Sequence, residues 1–175
     1  MKALKQFSIP FTGLKLGKHQ FEFEIDQRFF DAFEHSLVKN GTLKAEVELD
    51  KQETMLILAF HVEGTIQLSC DKCLSDFDQP IELNERQIVK FAEDEEEGND
   101  DLEILILPRK ETAIDVSELI YEFITVAIPF INKCEQAGKT CDEQMLATLD
   151  KLASSNEEQE EQNDDPRWEA LKKLK

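Results

Sequence analysis

Four cysteines carry the side chains best suited to chemistry. Cys70-Asp-Lys-Cys73 sets two thiols across a two-residue gap. At that spacing a reverse turn between strands lets both meet one tetrahedral metal. A second pair, Cys134 and Cys141, has a six-residue gap, longer than the usual two to four, although Gly138 would let the loop fold back. Two readings stay open: Cys70, Cys73, Cys134 and Cys141 hold a structural zinc ion, or they are reduced thiols packed beneath the turn. A redox pair is disfavoured. Residues 74–80 do not propagate the helix whose N-terminus would lower a thiol pKa, and Asp71, Asp76 and Asp78 would raise it.

Other catalytic signals are missing. His19, His35 and His61 are dispersed and read as surface or half-buried residues. There is no nucleophile elbow, phosphate-binding glycine loop, paired-histidine zinc motif or dinucleotide fingerprint. No enzymatic activity is expected.

The elements that must position the cysteines follow from periodicity. Phe7, Ile9 and Phe11 alternate, as do Phe21, Phe23 and Ile25, and then Leu43, Ala45, Val47 and Leu49. This is the period of strands with one buried face. Residues 54–69 predict a long strand ending at Cys70, with a bulge at Gly64. Residues 77–91 predict its return, with Pro80 at an edge or start, and a short apolar strand follows at 103–107. Asp26 caps a helix predicted to run to about Leu37, and Asp115-Val-Ser-Glu118 is a capping box opening a second helix stopped by Pro129. A further short helix is expected over 142–152. The fold class is α+β: an antiparallel sheet, with closure into a barrel left open, and a few packed helices. Residues 1–152 read as one domain, 153–165 as an acidic disordered linker and 166–175 as a short amphipathic helix.

Charge narrows the partners. The 175 residues carry 20 Lys and Arg against 38 Asp and Glu, a formal net charge of −18. Fourteen of the acids fall in 93–103 and 156–165, and removing them leaves 24 acids against 20 bases. A basic nucleic-acid binder is not expected, because phosphate contacts need clustered cations. A strongly negative surface steers and retains basic proteins instead. No apolar run reaches the ~20 residues of a membrane helix, and the start has no signal-peptide core, so a cytoplasmic protein is expected. Near the C-terminus, Arg167, Trp168 and Leu171 form a candidate anchor for a partner surface, weighed against docking on the chain's own domain. Direct RNA contact would need a local basic patch, either Arg167 with Lys172, Lys173 and Lys175, or Lys2, Lys5, Lys15 and Lys18.

Together these motifs resemble a known family. Cys70-Asp-Lys-Cys73-Leu74 closes a long strand. The helix Ile114-Asp-Val-Ser-Glu-Leu-Ile-Tyr-Glu122, Pro129, the second cysteine pair and Asp165-Pro-Arg-Trp-Glu-Ala-Leu171 follow in order. The order and spacing resemble the YceD family, the large ribosomal RNA subunit accumulation proteins. The segment between Cys134 and Cys141 and the length of the acidic inserts depart from the pattern. The resemblance implies a bacterial, cytoplasmic, non-enzymatic protein needed for accumulation or processing of large-subunit ribosomal RNA. It also implies a gene that neighbours one for a small basic ribosomal protein. With the charge, this points to a basic large-subunit ribosomal protein, or a pre-ribosomal particle, as the expected partner.

Overall fold

A computed structural model describes residues 4–92 and 104–160, the side chains of 154–160 lying outside that description. The expected strands form as β1 Ser8–Pro10, β2 Gly17–Ile25, β3 Gly41–Lys51, β4 Met55–Ser69, β5 Asp76–Ala92 and β6 Ile104–Pro108, and a further strand not expected from the sequence, β7 Ala113–Asp115, precedes the second helix. The main sheet has the order β2-β3-β4-β5-β6 and does not close. Neighbours are antiparallel except β5 and β6, which pair in parallel, so the sheet is mixed. β1 leaves this sheet to pair with β7 in a two-stranded sheet of its own.

One face of the main sheet is apolar. Leu43, Ala45, Val47 and Leu49 of β3 lie beside Leu56, Leu58, Phe60 and Val62 of β4, all buried. Two helices and the N-terminal segment cover this face: α1, Gln27–Asp31, and α2, Ser117–Val126. Phe60 meets Phe123 of α2 with ring centroids 5.2 Å apart. Phe7 stacks on Phe23 at 5.2 Å and touches Phe29 at 4.9 Å, so the N-terminal segment reaches as far as β2. Aromatic contacts in these geometries add about 1 kcal/mol each beyond the area they bury.

Several sequence expectations shift. Asp26 does cap α1, its Oδ1 accepting from the Arg28 and Phe29 amides at 3.0 and 3.3 Å. The helix nevertheless ends at Asp31. The chain then tightens into turns, His35 takes φ 64°, and Leu37, expected on the buried face, is 71% exposed while Val38 is buried in its place. Asp115 accepts from the Ser117 amide at 2.9 Å, but the cap position of α2 is Val116. Gly64 is not a bulge, for the register runs unbroken on both sides of it. It has φ 146°, and a Cβ there would overlap the Thr42 carbonyl oxygen and lie 2.6 Å from Leu43 Cα. Close approach of β3 and β4 therefore requires glycine. Pro80 pairs with Thr65 of β4 in a stretch of β5 that, among the described residues, has no strand on its other side, since β6 pairs with Ile88–Ala92; this is the edge position expected for proline.

The last helix, α3, runs over Glu143–Glu160. It continues eight residues into the segment expected to be an unstructured linker from residue 153. Glu and Gln are good helix formers, which offsets the lack of an apolar stripe. Residues 93–103, 161–165 and the terminal segment 166–175 lie outside the described residues. No helix among the described residues is long and apolar enough to cross a membrane.

Candidate metal centre and acidic sheet face

The β4–β5 turn carries the first cysteine pair. Cys70 directly follows β4, its amide donating to the Ser75 carbonyl at 3.0 Å, while the Leu74 amide closes the turn on the Cys70 carbonyl at 2.8 Å. Leu74 takes φ 59°, a left-handed conformation costly for a residue with a Cβ. The second pair comes from the segment after α2. A short 3-10 turn over Cys134–Ala137 ends at Gly138, φ 69°, and the Lys139 amide bonds back to the Cys134 carbonyl at 2.9 Å. The long gap is thereby folded up, as the glycine allowed. Asp142, directly after Cys141, caps α3, accepting from the Gln144 and Met145 amides at 2.8 and 3.1 Å. A reciprocal clamp joins the two segments. The Asp71 amide donates to the Asn132 carbonyl at 2.8 Å, and the Asn132 amide to Asp71 Oδ2 at 2.7 Å.

The two cysteine pairs converge. Cys70 Sγ lies 3.9 Å from Cys141 Sγ and Cys73 Sγ 3.6 Å from Cys134 Sγ, and all four sulfurs lie within 4.8 Å of one another. Zn–S bonds of 2.3 Å in a tetrahedron put sulfurs about 3.8 Å apart. The set fits one metal, and an all-thiol donor set is the chemistry of zinc or an iron–sulfur centre. Cys70, Cys73 and Cys134 are buried and Cys141 partly so, none in a disulfide. His19, His35 and His61 take no part in this group.

Local backbone differentiates the four thiols. Amides of Asp142 and Ser75 point at the Cys73 sulfur and outweigh burial, bringing its pKa down to about 6. Burial raises Cys70, but the amides of Cys73, Cys134 and Lys72 outweigh it and the net direction is down. Cys134 is pushed up to about 12 by burial, then by hydrogen bonding to Cys70 and Cys73, and burial also raises Cys141. A metal entering the site has to expel protons from the second pair.

A second feature was not visible in the sequence. Among the described residues nothing covers the sheet face opposite the core, which forms a shallow hollow of about 820 Å³ lined by Ala59 among others. Register lines up acids there. Glu22 stands directly opposite Glu46, and Glu63 directly opposite Glu82. Glu48, Glu24 and Asp50 lie on the same face. Lys44 reaches Glu22 at 3.2 Å and Glu46 at 2.8 Å, and Lys18 reaches Glu48 at 2.8 Å. These contacts hold both ammonium groups above the usual lysine range, chiefly through the hydrogen bonds to Glu46 and Glu48. Glu63 and Glu82 have no such cation between them; the ring of His61 lies 3.9 Å from Glu63 and its Nδ1 is 2.9 Å from Asn84 Oδ1. Alternation marked each Glu as solvent-facing, but only pairing register reveals that they stack.

Of the other candidates, Arg167, Trp168, Leu171, Lys172, Lys173, Lys175 and Lys2 lie outside the described residues. Lys5, Lys15 and Lys18 are exposed, with Lys18 engaged by Glu48.

Known proteins place this architecture. A family model described as "Large ribosomal RNA subunit accumulation protein YceD" matches residues 58–175. The chain is also similar to "Uncharacterized protein YlbN" of Bacillus subtilis (strain 168), 23% identical over 171 residues that cover 91% of each chain. No solved structure matches. Because the matched segment takes in most of β4, β5 and both cysteine pairs, and more than half of the chain, this protein belongs to the YceD family, whose name ties it to large ribosomal RNA subunit accumulation.

Proposed function

We propose that this protein is a non-enzymatic assembly factor that supports accumulation of large-subunit ribosomal RNA. It does so by holding a basic large-subunit ribosomal protein, or the particle that carries it, on the uncovered acidic face of its sheet. The observation that carries this reading is the direct opposition of Glu63 and Glu82, beside the Glu22–Glu46 pair that Lys44 already bridges. Like charges directly opposite on neighbouring strands destabilise a sheet. A fold that keeps them on an open face gains from a cationic partner what it loses alone. Acids outnumber cations on this face: Lys18 is engaged by Glu48 and Lys44 by Glu22 and Glu46, while Arg86 also lines the hollow. A net negative face disfavours phosphate, so in this reading the effect on ribosomal RNA runs through protein.

Zinc at Cys70, Cys73, Cys134 and Cys141 is the second part of the proposal. When bound, the ion supplies a rigid tetrahedral node. The chain's own residues prepare it: the Asp71–Asn132 clamp aligns the two segments, and amides of Ser75 and Asp142 stabilise the Cys73 thiolate. Cys70 and Cys73 at the β4–β5 turn and Cys134 and Cys141 after α2 would thereby be tied together, coupling metal binding to folding.

The test is binding of the purified full chain to purified basic large-subunit ribosomal proteins and, separately, to naked large-subunit ribosomal RNA over a salt series. A basic protein is expected to bind and to weaken as salt rises, while RNA binds poorly. Tight RNA binding at physiological salt with no bound protein would overturn the reading.

A further inference from the structure

The main sheet ends at two unlike edges. At the β5 side, β6 covers Ile88–Ala92, and Pro80 removes a donor from the uncovered stretch. At the other side, β2 offers nine residues, Gly17–Ile25, bonded along one side to β3. Among the described residues, its backbone makes no hydrogen bond to any other element. It contains no proline and no bulge. An antiparallel edge strand turns alternate N–H and C=O groups outward, which is a template for another strand unless it is blocked.

We infer that the β2 edge accepts an extended segment of the basic partner as an added strand, alternating Lys or Arg with apolar residues. The inference rests on the basic-partner reading and specifies its geometry. An added strand lies about 4.8 Å from β2. Its outward side chains come beside Glu22 and Glu24, with Glu46 one strand further in. Its inward side chains fall beside Phe21 and Phe23, which are half-buried at the rim of the core. Backbone bonds supply affinity and the two alternating rows supply selection. A second copy of this chain brings the same acidic face to the contact and a net charge of −18, which disfavours it as the occupant.

The experiment uses the full chain and two synthetic peptides of about ten residues, one alternating lysine with valine, the other of the same composition with its lysines in one block. The alternating peptide is expected to bind at least ~10-fold more tightly and to slow exchange of alternate amides along Gly17–Ile25 by ~10-fold or more. A Glu22→Lys, Glu24→Lys variant, both positions being exposed, is expected to stay folded and lose most of that affinity. Equal binding of both peptides without β2 protection, weakened by Glu63→Lys, overturns strand addition and leaves the basic-partner reading standing. Failure to bind either peptide or any basic ribosomal protein overturns both. Protection of β2 without peptide, in a protein of dimeric mass, replaces the partner strand with a second copy.

Discussion

The cysteine end and the open face of the sheet solve opposite problems. At the cysteine end, thiols that would be costly to bury alone are gathered and mostly satisfied, although Asn132 Oδ1 is buried without a hydrogen-bond partner. Amides point at sulfurs, the Asp71 amide donates to the Asn132 carbonyl while the Asn132 amide donates to the Asp71 carboxylate, and Gly138 folds a long gap into a turn. On the open face, Glu63 and Glu82 are set against each other facing water, while Glu22 and Glu46 share Lys44. The first region is arranged to stabilise the fold once its thiols share a metal. The second is tolerated by the fold and becomes favourable only when cations arrive. Stability therefore reports on one region and binding on the other, and substitutions should separate the two readouts.

The largest effect is expected at the proposed zinc site. Removing zinc from reduced protein with a chelator is expected to cost on the order of 4 kcal/mol, the stabilisation from a site filled at about a thousand times its Kd. For a domain of this size that lowers Tm by roughly 10 °C, as calorimetry would register. Zinc binding needs thiolates, so protons oppose it. Since the Cys134 pKa lies at about 12, affinity is expected to rise with pH and to fall as pH drops toward and below the Cys73 value of about 6. Metal analysis showing no stoichiometric zinc would remove this half of the account and leave the acidic face untouched.

Next comes Gly64→Ala, which places a Cβ against the Thr42 carbonyl oxygen at a positive φ. A loss of about 3 kcal/mol is expected by denaturant unfolding. Zinc content should not change, because Gly64 pairs with Leu43 and Ile81, away from the turn. Loss of zinc in a folded Gly64→Ala protein would show that the two regions are not independent.

How much of this was legible in the sequence depends on how local each cause is. β3, β4 and β5 were readable because alternation is recorded residue by residue, and Asp26 declared its helix. Closure of the cysteine set was readable in part, from Cys70-Asp-Lys-Cys73 and Gly138, while the second half needed the Asp71–Asn132 clamp between distant segments. The departure of β1 to β7, the parallel pairing of β6 and the stacking of Glu63 on Glu82 depend on long-range partners and left no local trace. α1 ended early because burial of Val38, not Leu37, turned the chain.

A smaller effect tests the turn. Leu74 is 65% exposed and left-handed, so Leu74→Gly relieves backbone strain and loses little packing. After the entropy a glycine adds to the unfolded chain, a net gain of about 0.5 kcal/mol is expected, with no change in binding of a basic protein.

The smallest stability change carries the central claim. Glu63→Lys turns the Glu63–Glu82 repulsion into attraction and is expected to stabilise the free protein by about 0.5 kcal/mol. In the same preparation, affinity for a basic large-subunit ribosomal protein at physiological salt is expected to fall by roughly 5- to 10-fold. Tm rising while affinity falls is the result this account requires. Unchanged affinity in the stabilised variant would contradict it.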